Sequence, residues 1–331
     1  MENKRRKITA ALGIILSGAI IVLLIRHMEM GRVMDALREA RFQWTPVMAC
    51  SFLAGVVLRG IRWAYILRPV RDVGSLPAVN ATFIGLAVNF ILPARMGELV
   101  RPVVLGTRTG TSKATCLGAL VIARTLDGLF LVFLLATMSS LLGLERGTTG
   151  ALVRLQYVAF AVFGGAFLCI LIARFKQRWL SAVVEKIASF LPEAIAAKLS
   201  EACQMLFESL EFLELKVNVL YVLLMTAGIW LLEGLAYYAG FFAFGLDIHP
   251  SVAYLTLGAV ALAALFPSAP AYVGVFEGAA VLVLTGYGAM GKELAFSYSI
   301  LLHSTQVISV LAIGFCISTY YKVSLLRGAS G

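Results

Sequence analysis

The 331 residues are 60% hydrophobic and only 14% charged, with a mean hydropathy of +0.90. Soluble domains carry roughly 45–50% apolar and about 25% charged residues, so a soluble enzyme, a disulfide-rich secreted scaffold and a disordered chain are excluded. The net charge of +10 sits mostly in short loops beside apolar runs, where the positive-inside bias places it without any nucleic-acid partner.

The first run, 8–25, follows Lys4-Arg5-Arg6-Lys7. It is longer than the roughly 7–15 apolar residues of a signal peptide, and no small-x-small cleavage site follows it. It therefore reads as an uncleaved first transmembrane helix with a cytoplasmic N-terminus. Further runs cover 44–67, 77–92, 115–142, 151–173, 217–245, 252–266, 273–287 and 294–321. Several approach or exceed the 20 or so residues that cross a hydrocarbon core as helix. The run 77–92 stops at Pro93, and the pair 252–266 and 273–287 is interrupted by Pro267 and Pro270.

Orientation assigns the short pieces. With the N-terminus inside, 44–67 returns to Arg68 and Arg71, and the basic stretch 174–216 is also inside. Residues 77–106 then begin and end on the cytoplasmic side, as a re-entrant hairpin turning at Leu92-Pro93-Ala94-Arg95. A second re-entrant hairpin over about 252–287 enters from the outside, and 294–321 brings the C-terminus back to the cytoplasm.

The two hairpins share P-A-x-x-G, as Pro93-Ala94-Arg95-Met96-Gly97 and Pro270-Ala271-Tyr272-Val273-Gly274. Each is followed by a polar helix position, Arg124 or His303. The reading is an all-α polytopic membrane protein of two inverted-topology repeats, with about six full transmembrane helices plus two re-entrant hairpins. The repeats span 1–143 and 144–331, the second including an amphipathic cytoplasmic segment over 174–215. Interrupted helices in paired inverted halves point to a central transport site. The amphipathic linkers fit interfacial helices, with a partner-binding role for the longer one left open.

Charged side chains fall at membrane depth at Arg59, Arg62, Arg95, Glu98, Arg101, Arg124, Asp127, Glu233 and Glu277. Each costs several kcal/mol in lipid unless paired or hydrated, and such groups face a bundle interior or a water-filled cavity. Arg59 and Arg62 share a helix face, and Arg95, Glu98 and Arg101 repeat at intervals of three. Arg124 and Asp127 can pair along one helix, which fits either an internal salt bridge or a head-group site. The first half carries more arginine than carboxylate, so unpaired guanidinium groups are expected there, suited to phosphate by their forked geometry. In the second half His303 and Gln306 share a face, as packing residues or as part of a proton path. Glu233 and Glu277 are expected to neutralise the surplus arginines across the repeat interface.

The five cysteines are scattered without a C-x-x-C pair, so neither a zinc site nor a disulfide framework is indicated. No P-loop or H-E-x-x-H occurs. No metal, cofactor or catalytic residue is expected, and the chain does not read as an enzyme.

Four stretches carry a resemblance: Arg59-Gly60-Ile61-Arg62-Trp63, Asn89-Phe90-Ile91-Leu92-Pro93-Ala94-Arg95-Met96-Gly97-Glu98, Ala123-Arg124-Thr125-Leu126-Asp127-Gly128 and Gly274-Val275-Phe276-Glu277. In this order they resemble the lysylphosphatidylglycerol-synthase transmembrane family, over roughly 10–320. The N-x-x-L-P-A-R-x-G-E stretch is the most specific and adds Asn89 to the candidate site. The resemblance implies movement of a lipid between leaflets of the cytoplasmic (inner) membrane. With no soluble aminoacyltransferase domain in the sequence, aminoacyl-lipid synthesis is not expected. The expected partner is a membrane lipid with an anionic head group. Self-association or a lipid-pathway enzyme partner stays open, as do an intramembrane transferase and a non-transporting scaffold.

Overall fold

The computed structural model describes residues 15, 17–26, 28–93, 95–143, 157–158, 160–168, 177–189, 192, 196–197, 218–265 and 268–321. All regular structure among them is helical. In chain order α1 is Met30–Glu39, α2 Thr45–Leu67, α3 Ser75–Ile91, α4 Gly97–Thr109 and α5 Lys113–Leu141. They are followed by α6 Gln177–Ala188, α7 Val219–Ala243, α8 Pro250–Ala263, α9 Val275–Gly286 and α10 Lys292–Tyr321. Residues 17–25 are helical as well.

The chain is a multi-pass membrane protein. α2, α5, α7 and α10 are long and apolar enough to cross a bilayer, while α3, α8 and α9 are apolar but shorter. Two further full-length spans expected from the sequence fall on 8–25 and 151–173, which lie partly outside the described residues. Most of the segment 174–215, expected from the sequence to be cytoplasmic, lies outside them too, apart mainly from the amphipathic α6.

Local chemistry sets the short helices. Pro46 stands in the first turn of α2 and Pro250 in that of α8, where a missing backbone N–H costs nothing. α3 ends at Ile91 because Pro93 disfavours helical geometry in the residue before it. Leu92 is accordingly extended, with φ −107° and ψ 142°. α4 closes on Gly110 in the left-handed conformation, whose carbonyl accepts from Arg71 at 2.8 Å.

The packing is reciprocal. α2 lies against α7 at the centre, α3 against α4, and α8 against α9. Each helix pair lays its second limb on the long helix that follows it, α4 on α5 and α9 on α10. Each lays its first limb on the opposite long helix, α3 on α10 and α8 on α5. Small residues permit these crossings, with Gly314 against Ala87 and Gly258 against Leu135.

Candidate functional site

The breaks within the two helix pairs come together. At the first, Arg95 adopts a left-handed conformation with φ 54°; at the second, Ala271 and Tyr272 do so with φ 55° and 61°. Arg95 and Tyr272 are the third residues of the two P-A-x-x-G stretches, and the Arg95 guanidinium lies over the Tyr272 ring, 5.4 Å from its centroid. Phe90 meets the same ring edge-on at 6.2 Å. Bulky residues in this backbone region carry strain, which persists where the surroundings hold it and clusters at functional sites.

The glycines of the two stretches serve different ends. Gly97 abuts the Gly85 carbonyl so closely that a Cβ has no room, and its N–H donates to Asn89 Oδ1 at 2.7 Å. Gly274 sits at φ 88°, open to glycine but not to a side chain, and its N–H donates to Glu277 Oε2 at 2.6 Å.

Behind the breaks lies a network of buried ion pairs. Arg62 donates to both carboxylate oxygens of Asp127, at 2.7 and 3.0 Å, and to Thr226 Oγ1 at 2.6 Å. Arg59 pairs with Glu233 and stacks on Trp230 at 4.8 Å. Arg124 donates to Glu98 at 2.6 Å and reaches Asp127 at 3.5 Å. Arg101 shares Glu98 at 3.3 Å, donates to Thr82 at 3.0 Å and lies over Trp63. In the second half Glu277 Oε1 meets His303 Nδ1 at 2.6 Å, and the imidazole stacks on Phe276 with centroids 4.1 Å apart.

The expectation of several unpaired arginines is corrected here. Arg59, Arg62, Arg101 and Arg124 each have a carboxylate, because Glu233 crosses from α7 and Glu98 serves two guanidinium groups. Among the described residues Arg95 alone of the five has no carboxylate within ion-pair distance. Glu277 does not neutralise an arginine: it holds the Gly274 N–H and His303. The buried charges Arg59, Arg62, Arg101, Asp127 and Glu233 are tolerated because each is paired.

The network borders a cavity of about 460 Å³. Arg59, Arg95, Glu98, Arg124, Asp127, Glu233, His303 and Gln306 line it. Arg62, Asn89, Arg101 and Glu277 stand behind the wall and hold lining groups or the helix breaks in place. The rim is apolar and exposed at Leu99, Val121, Val162 and Leu265. Sequence reasoning missed Trp230, Tyr237 and Tyr272, which also line the cavity. A signal for two of them was present, since Trp230 lies three residues before Glu233 on the same helix and Tyr272 matches Arg95 in the shared motif. Among the described residues no group of three His, Cys, Asp or Glu side chains is placed to hold a metal ion.

The family model for the lysylphosphatidylglycerol synthase TM region matches residues 10–314. The chain belongs to that family. The match takes in both helix pairs and the ion-pair network between them. A membrane protein of Methanothermobacter thermautotrophicus designated UPF0104 is 22% identical over 89% of this chain and 90% of its own length. The glycosyltransferase AglD of Haloferax volcanii is 24% identical over 91% of this chain, which spans only 52% of AglD. No solved structure matches.

Proposed function

We propose that this family member is a lipid transporter, moving a phosphate-bearing lipid between leaflets through this cavity, whose otherwise apolar lining carries one cluster of charges. The carrying observation is the cavity itself: a charged wall where two broken helix pairs meet, behind a rim of exposed apolar side chains. A head group can lie against the charges while acyl or prenyl chains pass over Leu99, Val121 and Leu265 into the bilayer. The helix breaks supply backbone groups and helix ends that a continuous span lacks.

An inverted repeat, with re-entrant hairpins as its centre, is part of this reading. Two features support it. The helix pairs pack on the long helices in exchanged fashion, and Glu98–Arg124 and Glu277–His303 join corresponding helices at the same sequence separation of 26. Rocking of one half against the other about the α2–α7 contact would open the cavity to each side in turn. The protein would lie in the cytoplasmic membrane with both termini in the cytoplasm, as the distribution of basic residues indicates.

The test is leaflet exchange of labelled lipids in proteoliposomes, native protein against Arg124→Ala. In this variant Glu98 keeps Arg101 and Asp127 keeps Arg62, so the fold should survive while exchange of a phosphate-bearing lipid falls. The similarity to AglD motivates a second reading, an intramembrane transferase acting on a lipid-linked substrate. A chemically altered lipid with no exchange would select it.

A further inference from the structure

The exposed apolar rim of the cavity is held unequally on its different sides. Leu99 stands on α4, Val121 on α5 and Leu265 just past α8. Glu98 joins α4 to Arg124 of α5, and Gly258 of α8 packs closely on Leu135 of α5. A further side is the helical stretch 160–168, which contributes Val162, Phe163 and Ala166.

That stretch reads Phe160-Ala161-Val162-Phe163-Gly164-Gly165-Ala166-Phe167-Leu168, so no side chain in it can form a hydrogen bond or an ion pair. None of these residues is buried. Lipid tails are as apolar as such side chains, so only shape-matched contact can hold the helix against the bundle. One contact is close. The Phe163 ring lies on buried Gly128 of α5, where an added Cβ would fall among the ring atoms. Gly164 and Gly165 follow directly, and a Cβ on either meets no described atom within 4 Å. Close packing does not require them, and paired glycines weaken a helix interior and give it a place to bend. The outer helix 17–25 is fastened differently. Ser17 is buried, its hydroxyl accepts from the Ala269 N–H at 2.9 Å, and its carbonyl lies against Gly274. The stretch 160–168 has no side chain able to make such a polar tie.

Resting on the transport reading, we infer that 160–168 is the gate of a sideways entrance to the cavity, with Phe163 on Gly128 as its latch. A lipid that keeps its chains in the bilayer brings its head group in from the side. Arg124 lies one turn before Gly128 on α5, so lifting the ring uncovers the helix face that carries the guanidinium. Bending at Gly164-Gly165 costs the Phe163 contact and no side-chain hydrogen bond.

The test closes the latch covalently. A Cβ on Gly128 lies against Phe163 Cγ, so Gly128→Cys with Phe163→Cys brings two sulfurs within bonding reach. The full chain carries both, with its five native cysteines replaced by alanine. Copper phenanthroline oxidises the pair and dithiothreitol reopens it. Two readings are taken in vesicles of phosphatidylglycerol and phosphatidylcholine. The first is leaflet exchange of labelled phosphatidylglycerol and of labelled polyprenyl phosphate. The second is quenching of Trp230 by phosphatidylcholine with brominated acyl chains, counted as the share absent when the same protein carries Trp230→Phe. Trp230 lines the cavity, so this share reports chains inside the entrance whether or not anything is transported. Oxidation should abolish both signals and reduction should restore them. Gly128→Ala alone displaces the ring and should raise the Trp230 share above that of the native protein. Exchange that survives oxidation, or a Trp230 share that oxidation leaves unchanged, would overturn the gate. Failure of the two cysteines to join would overturn it too, because the latch contact would be missing. A Trp230 share that follows the latch, with neither lipid exchanged in any state, would keep the gate and sink the transport reading.

Discussion

Glu98–Arg124 and Glu277–His303 are built alike and behave differently. Each joins the first turn of a broken pair's second limb to the long helix that follows, at 2.6 Å. In the first half the partner is a guanidinium, and the same carboxylate also holds Arg101. Both arginines in that network stay charged at any working pH. In the second half the partner is an imidazole stacked on Phe276, and the other carboxylate oxygen caps the backbone at Gly274. The first is a linked ion-pair network in which Glu98 and Asp127 each hold two guanidinium groups, so losing a carboxylate strands more than losing Arg124 does. The second is a single carboxylate–imidazole contact, capped by one backbone N–H and stacked on one aromatic ring.

The largest effect should come from opening the network at its most buried link. Arg62 is 2% exposed and chelates Asp127 with both arms of its fork. Arg62→Leu leaves Asp127 with only the 3.5 Å contact to Arg124 and should cost about 3–5 kcal/mol of stability. Adding Asp127→Leu should recover most of that loss, since an apolar pair needs no compensation. Denaturation in detergent micelles checks both. If the double variant is as damaged as the single one, the pair's value lies in packing and the electrostatic picture of this half fails.

A matched pair of substitutions then separates the halves directly. Glu98→Gln strips Arg124 and Arg101 of their common carboxylate and should cost roughly 3 kcal/mol. Glu277→Gln keeps an amide oxygen for the Gly274 N–H and weakens one hydrogen bond to the imidazole, at about 1 kcal/mol. The order of the two losses is the diagnostic. Equal losses would mean that the Glu277–His303 contact carries as much electrostatic weight as Glu98–Arg124, and the contrast between the two contacts would fail.

The contrast also marks what could be read in advance. The helical class, the membrane setting, the proline breaks and the buried charges are all written in composition and run length, because lipid penalises unpaired backbone and isolated charge so heavily. Arg59, Arg95, Glu98, Arg124, Asp127 and Glu233 fall at membrane depth by that argument, His303 and Gln306 stand out as polar positions on one helix face, and all of them line one cavity. Partner choice was not legible. Glu233 meets Arg59 across 174 positions and Arg62 meets Asp127 across 65, distances at which no periodicity operates. Counting charges within each half therefore overstated the free arginines. Trp230 and Tyr272 escaped for another reason: in a chain this apolar an aromatic residue looks like lipid-facing bulk until the cavity gives it a neighbour.

The smallest predicted change in stability tests the meeting of the two breaks. Tyr272 holds φ at 61°, a conformation that glycine adopts freely and a bulky side chain resists by roughly 1–2 kcal/mol. Its ring is the surface on which Arg95 and Phe90 converge. Tyr272→Gly removes the strain and the ring together. The cation–π and edge contacts are worth about as much as the strain, so stability should stay within about 1 kcal/mol of the native protein. Exchange should nonetheless fall, because Arg95 loses the platform that holds it at the cavity wall. Measuring both quantities on the same preparation separates the two roles of the tyrosine. A variant that is more stable and exchanges lipid at the native rate would show that the strained backbone serves no transport purpose. The likeness between Arg95 and Tyr272 would then be a matter of turn geometry alone.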